Sequence, residues 1–291
     1  MNTSKHTQSS KKILYAIISI TLCLLVISAA ITSVSIFRNS RDGTNADKDY
    51  QRGDKNDPIT DVEDDGIDDG RPGRVALTFD DGPHVTRTKA IVDELSRYGY
   101  HATFFVVGNR VDGTEYSGGE AMRYAYDAGN EIAIHGYTHL KYYNTCSEAE
   151  YYNELNKTAN AIRKYIPDYE IKLMRPIGGK ITDERVAACE YSVIMWNIDS
   201  LDWENRYSDS SSQGAKEQCD TIVNNVMSKV SDGSIILMHD IYQSTLDATI
   251  EIIRRLHEEG YEIVTVSELL GDQLQPGVKY SRATPYKKEG E

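Results

Sequence analysis

From Arg74 onward, short apolar runs alternate with segments whose apolar residues recur at helical spacing. Val75–Phe79 (VALTF) reads as a strand and Lys89–Tyr98 as a helix, followed by strand Ala102–Val107 and helix Glu120–Ala128. Strand Glu131–His135 precedes a long helix at Ser147–Tyr165, and strand Lys172–Pro176 precedes a short one at Asp183–Glu190. Strand Ser192–Ile198, helix Gln213–Lys229, strand Ser234–His239, helix Thr245–Glu259 and strand Glu262–Val266 complete the series. Strands alternating with helices predict an α/β fold, a parallel sheet covered by helices. About seven such units suit a barrel-like sheet.

Upstream the pattern is different. Ile13–Phe37 is 25 residues without a charge, preceded by Lys11-Lys12. That is enough for a membrane-spanning helix, which needs about 20 apolar residues. Lys5, Lys11 and Lys12 predict the N-terminus inside and everything after Phe37 outside. A secretory signal cleaved near Ser28-Ala29-Ala30 is the alternative; the length of the apolar run favours an uncleaved anchor. Residues 38–73 are rich in Asp, Gly and Asn and read as a disordered acidic linker. A calcium loop starting at Asp61 fails, because its twelfth position is Pro72 rather than Glu. The expected organisation is therefore 1–37 cytoplasmic N-terminus and anchor, 38–73 linker, 74–272 globular domain and 273–291 polar tail.

Charge narrows the partners. The 32 basic side chains include Lys5, Lys11 and Lys12, which leaves 29 against 45 acidic ones beyond residue 37. So acidic a surface excludes general nucleic-acid binding. Cys23 lies in the apolar run; Cys146, Cys189 and Cys219 form no CxxC pair, so a cysteine zinc site is excluded and their disulfide state stays open.

In parallel α/β folds ligands sit at the carboxyl ends of the strands. Those ends carry Asp80-Asp81, then His135 to His139 (HGYTH), Arg175 to Gly179 (RPIGG), Asp199 to Trp203 (DSLDW), and Leu237 to Asp240 (LMHD). His135 and His139 are four apart, a spacing that faces both imidazoles the same way on a helical turn. With Asp81 from a neighbouring strand they make a two-histidine, one-carboxylate set suited to zinc or a similar divalent ion. A cation also explains the paired aspartates: one carboxylate binds it while the other takes a proton from water.

TFDDGP, HGYTH, RPIGG, DSLDW and LMH, in this order, resemble the five motifs of the polysaccharide deacetylases with a NodB-type catalytic domain, carbohydrate esterase family 4. The resemblance covers about Arg74 to Gly271 and implies a distorted (β/α) barrel that removes acetyl groups from N-acetylated sugars with a divalent metal, zinc or cobalt. It implies Asp80 as general base, Asp81, His135 and His139 as metal ligands, and His239 as general acid. Arg175 would orient Asp80, and Asp202 would tune His239, a role Asp199 could equally fill. Trp203 and Leu237 would wall the pocket for the acetyl methyl, and a backbone N–H near Gly178 would hold the oxyanion.

Two departures stand out: Gly136 replaces a Ser or Thr, and Ile177-Gly178 replaces a Pro followed by an aromatic, which widens the sugar subsite. Asp240 is expected as a helix N-cap, and His84, His101 and His257 as structural; Lys141–Asn144 (KYYN) could stack on sugar rings or simply pack. The expected protein is a membrane-anchored, extracellular, monomeric deacetylase of N-acetylglucosamine polymers such as peptidoglycan. Esterase action on acetylated xylan, action on chitin, and non-catalytic glycan binding on the same scaffold are the alternatives.

Overall fold

In the computed structural model, which describes residues 73–113 and 118–283, strand β1 (Arg74–Asp80) sends alternate side chains to two different cores. Val75, Leu77 and Phe79 pack outward under the helices, whereas Ala76, Thr78 and Asp80 point into the sheet's concave side. Period-two alternation is the ordinary geometry of a strand. The same split recurs on β2 (Thr103–Val106), where Phe104 and Val106 face the helices and Phe105 the interior. On β3 (Glu131–Ile134) Ile132 and Ile134 face outward and Ala133 inward. On β4 (Leu173–Met174) Met174 faces outward and Leu173 inward.

All the ladder pairings are parallel, in the order β6 (Ile198–Asp199), β7 (Ile235–His239), β1, β2, β3, β4, β5 (Ser192–Ile194), β9 (Lys279–Tyr280), with β8 (Glu262–Ile263) pairing the start of β1. The run expected as one strand at Ser192–Ile198 is two: β5 (Ser192–Ile194) pairs β4, while β6 (Ile198–Asp199) pairs β7 (Ile235–His239). Met195 to Asn197 carry the chain from β5, near one end of this order, to β6 at the opposite edge, so strand pairing does not close the barrel there. The result is a curled half-barrel of parallel strands. The segment expected as a polar tail adds β9 (Lys279–Tyr280) beside β5, and Ala283 N–H donates to Gly233 O at 2.9 Å.

The covering helices are α1 (Arg87–Arg97), α2 (Gly108–Asp112), α3 (Gly119–Asp127), α4 (Glu148–Tyr165), α5 (Asp183–Ala187), α6 (Ala215–Met227) and α7 (Gln243–Glu258). Each longer helix buries one stripe; on α7 it is Thr245, Ala248, Thr249, Ile252, Ile253 and Leu256. α4 starts where Ser147 and Glu150 cap one another reciprocally. Val264 and Thr265 leave the expected last strand, and Val266 opens α8 (Val266–Leu270), whose apolar side fills the interior below the site.

The chain divides into two units, Met1–Arg52 and Gly53–Glu291, and every described residue lies in the second. Among the described residues no helix is long and apolar enough to cross a membrane. The span expected at Ile13–Phe37 and most of the expected linker lie outside them.

Candidate metal centre and its acid–base flank

Three loops at the carboxyl ends of β1 and β3 and after β4 bring the site together. Asp81 follows β1 with φ of 70°, a left-handed conformation that aspartate tolerates better than most residues. His135 follows β3, and its Nδ1–H donates to the Arg175 carbonyl at 2.9 Å, which leaves the Nε2 lone pair facing the carboxylates. His139 reaches the same point by a different route from the one its spacing suggests. Residues 135–139 form no helix; Gly136 at φ 81° and His139 at φ 58° fold the loop back on itself. The ligand atoms of Asp81, His135 and His139 all lie within 4.8 Å of one another.

Oδ1 of Asp81 is buried and no hydrogen bond of regular geometry reaches it, although Nε2 of His139 is 2.9 Å away and Nε2 of His135 3.5 Å. Burial pushes the Asp81 carboxyl up, but His139, His239 and His135 hold it well below the usual carboxylate range. Burial pulls the His135 imidazole below its ordinary value; at His139 burial acts the same way, but the Asp81 carboxylate outweighs it and raises the group. An ionised carboxylate converging with two imidazoles fits a divalent cation of the zinc type.

The second aspartate is held apart. Arg175 is fully buried, and its Nη1 donates to Asp80 Oδ1 at 2.7 Å and to Thr78 Oγ1 at 2.9 Å. Nε and Nη2 donate to the carbonyls of Ile194 and Met195, each at 3.0 Å, and the guanidinium lies 4.1 Å above the Phe105 ring. Planarity and several donors in fixed directions make this an arginine position that lysine could not fill. The other oxygen, Oδ2, faces His135 Nε2 at 3.6 Å.

Sheet register sets Asp80 directly opposite His239 on β7. His239 donates its backbone N–H to Asp202 Oδ2 at 2.7 Å, and its Nδ1 lies 2.8 Å from Asp202 Oδ1. Asp202, rather than Asp199, is therefore the partner; Asp199 accepts from Leu201 N–H at 2.8 Å, and the Trp203 indole lies beside it. Burial alone would lower the His239 imidazole, but the Asp202 carboxylate reverses this and pushes it up to about 10.

The remaining predicted residues fall as follows. Leu237 is buried on the inward side of β7, two residues before His239. Trp203 is half-buried beside Asp199. Gly178, at φ 59°, sits in the 3₁₀ turn Ile177–Gly179, where the Tyr142 ring lies against it. In KYYN the two tyrosines part company, since Tyr143 is fully buried and Tyr142 only half-buried. A Cβ on Gly136 would run into the Tyr143 hydroxyl, so Tyr143 fills the space a serine would need. His84, His101 and His257 stand outside the site. Cys146, Cys189 and Cys219 form no disulfide.

Asp240 is not the N-cap expected of it. Tyr242 occupies that position on α7, without a side-chain cap. Asp240 is instead fully buried under the Asp81-Gly82 turn, where Thr88 Oγ1 donates to its Oδ2 and any Cβ on Gly82 would strike its carboxylate. Burial pushes its carboxyl up to about 7.

Glu154 was not singled out by the sequence, yet it holds the histidine loop. Its Oε2 accepts from the N–H groups of Tyr137 at 2.7 Å and Thr138 at 2.8 Å, and its Oε1 from Thr138 Oγ1 at 2.9 Å. The available signal is its place in the inward stripe Tyr151, Glu154, Leu155, Thr158, Ile162 of α4, where an acid has no business without partners. Glu154→Ala leaves two half-buried N–H donors without their acceptor. We expect it to lower unfolding free energy by about 1–3 kcal/mol and metal affinity by about 10–100-fold, read by urea unfolding and metal titration. Unchanged metal affinity would show that the loop holds itself.

Fold and site together define an α/β half-barrel with two imidazoles and a carboxylate converging at its strand ends and a buried acid–histidine pair beside them. The polysaccharide deacetylase family model matches residues 68–192. The chain is 39% identical over 195 residues to peptidoglycan-N-acetylmuramic acid deacetylase PdaC of Bacillus subtilis, covering 67% of this chain and 38% of that protein. It is 33% identical over 204 residues to a peptidoglycan-N-acetylglucosamine deacetylase of Bacillus cereus, covering 67% of this chain and 87% of that protein. The solved structure of peptidoglycan deacetylase PdaC from Bacillus subtilis matches with a TM-score of 0.60 at 37% identity, over 69% of this chain and 91% of that one. The chain belongs to the polysaccharide deacetylase family. It spans well under half the length of the first curated relatives it matches, 38% of PdaC and 41% of PgdA of Listeria monocytogenes.

Proposed function

We propose that this chain is a metal-dependent hydrolase that removes acetyl groups from the N-acetylated amino sugars of peptidoglycan. Residues 13–37 anchor it in the membrane, and residues 74–272 work outside the cell. The observation that carries the reading is the convergence of the Asp81, His135 and His139 donor atoms within 4.8 Å, next to an Asp80 that the register pairs with His239.

Asp81, His135 and His139 hold the cation, zinc or cobalt. The chemistry such a cation supplies when bound is Lewis-acid polarisation of the amide carbonyl and a lowered pKa for water. Asp80, oriented by Arg175, accepts the proton of the attacking water. His239 donates a proton to the departing amine nitrogen as the C–N bond breaks, leaving acetate and a free amino sugar. The backbone N–H of Gly178 donates to the carbonyl oxygen, and Trp203 and Leu237 enclose the acetyl methyl.

The full chain in detergent, supplied with zinc, is expected to release acetate from isolated peptidoglycan, to lose that activity to a chelator and to regain it with zinc. Absence of acetate release from peptidoglycan, N-acetylglucosamine oligomers and acetylated xylan alike would overturn the reading.

Asp202→Asn gives a pH signature. His239 serves as acid while protonated, so activity fails as pH rises through its pKa, which the Asp202 carboxylate raises to about 10. With that charge gone, burial dominates and the pKa falls. The basic limb of the pH–rate profile is expected at lower pH, with kcat down about 100-fold. An unmoved basic limb would assign it to another group.

A further inference from the structure

Where the family resemblance expects an aromatic after the arginine–proline motif, this chain has Gly178, and the half-buried Tyr142 from the histidine loop comes in over it. A Cβ on Gly178 would lie 3.4 Å from Cε1 of that ring. Lys180 follows two residues later, and its Nζ rests 4.3 Å from the centre of the Tyr142 ring. Among the described residues no carboxylate pairs with Lys180, in a chain where 45 acidic side chains outnumber 32 basic ones. A second cation–tyrosine pair stands on the His239 side, where the Arg206 guanidinium lies 5.3 Å from the Tyr242 ring and that ring 6.1 Å from the imidazole of His239.

A neutral acetylated sugar needs an aromatic surface and hydrogen bonds but no positive charge. A tyrosine face under an ammonium pre-orders the cation and leaves its N–H donors for a ligand. We infer that Lys180, held over Tyr142, binds a carboxylate of the substrate. The preferred glycan is therefore acidic at or beside the sugar that is deacetylated. This rests on the peptidoglycan reading and deepens it. In that polymer a carboxylate comes from the stem peptide, or from the lactyl ether of muramic acid where no stem peptide is attached to it.

The test compares the full chain with Lys180→Ala on neutral N-acetylglucosamine oligomers, peptide-free glycan strands and intact peptidoglycan. The ratio of kcat/KM for peptide-free strands over neutral oligomers is expected to fall about five-fold, mostly through KM. A fall confined to intact peptidoglycan keeps the carboxylate and assigns it to the stem peptide. An unchanged ratio on both acidic substrates overturns the inference. If the unaltered chain releases acetate from none of them, the deacetylase reading fails instead. A binding titration of peptide-free strands against both chains then decides the carboxylate site by itself, since equal affinities would exclude it.

Discussion

Asp80→Asn is expected to lower kcat/KM for acetate release by about 10²–10⁴-fold, the range a lost general base produces, while the metal stays bound. The carboxylate sits at the end of β1 with one oxygen held by Arg175 at 2.7 Å and the other turned toward Nε2 of His135 at 3.6 Å. Asparagine keeps the shape and can still accept from Arg175, but it takes no proton. Arg175 would lose its anion in a fully buried position, yet Thr78 Oγ1 and the carbonyls of Ile194 and Met195 still satisfy its donors. Breaking a buried pair costs about 3–5 kcal/mol, so thermal unfolding belongs beside the kinetics. A folded variant that binds zinc and turns over within ten-fold of the unaltered chain would remove Asp80 from the base role.

The second large effect is expected at Asp81. Asp81→Asn isolates the charge, because asparagine accepts the left-handed backbone at φ 70° that alanine would find strained. Two imidazoles alone make a poor site, and outer-shell changes already cost about 10–100-fold in affinity. Loss of the ligand itself is expected to cost at least about 100-fold and to abolish acetate release. Elemental mass spectrometry after dialysis measures it directly. Retention of a full equivalent of zinc by Asp81→Asn would show that Asp81 is no ligand. The two substitutions are adjacent in sequence and should give opposite results for metal content, which separates the roles of the paired aspartates.

Much of the site could be read from the chain because strand geometry is local. Inward and outward positions alternate along β1, β2, β3 and β7, so a polar residue at the end of an inward row is recognisable without knowing its partners. Asp80, His135 and His239 are such residues, and Arg175 continues the row of β4. What escaped notice depends on contacts between elements. Glu154 sits on a helix and acts on a loop preceding it; Asp240 looked like a cap and lies beneath Gly82. Tyr142 and Tyr143 are adjacent, yet one lines the turn at Gly178 and the other is core. Neither difference has a local signature.

The HxxxH spacing anticipates that His135 and His139 meet, but not the geometry by which they do. A helical turn would align His135 and His139, but the loop uses two residues at positive φ, braced by Glu154. Pairing, not composition, ends the strand within Ser192–Ile198: β5 pairs β4 and β9 near one end of the sheet, and β6 forms the edge at the other. The choice between Asp199 and Asp202 has the same origin, because the turn at Leu201, with φ 53°, aims one carboxylate at its own backbone and the other at His239.

The alternation of strand and helix, the excess of acidic side chains and the chemistry-bearing residues at the strand ends are all legible in the chain, because side-chain period and charge are local properties. Which of them meet is a matter of how the elements pack. Parallel register sets Asp80 opposite His239, and long-range hydrogen bonds join Arg175 to Asp80, Asp202 to His239 and Glu154 to the histidine loop. Such contacts depend on how far each strand slides against its neighbour, and that is settled by the packing of two cores together.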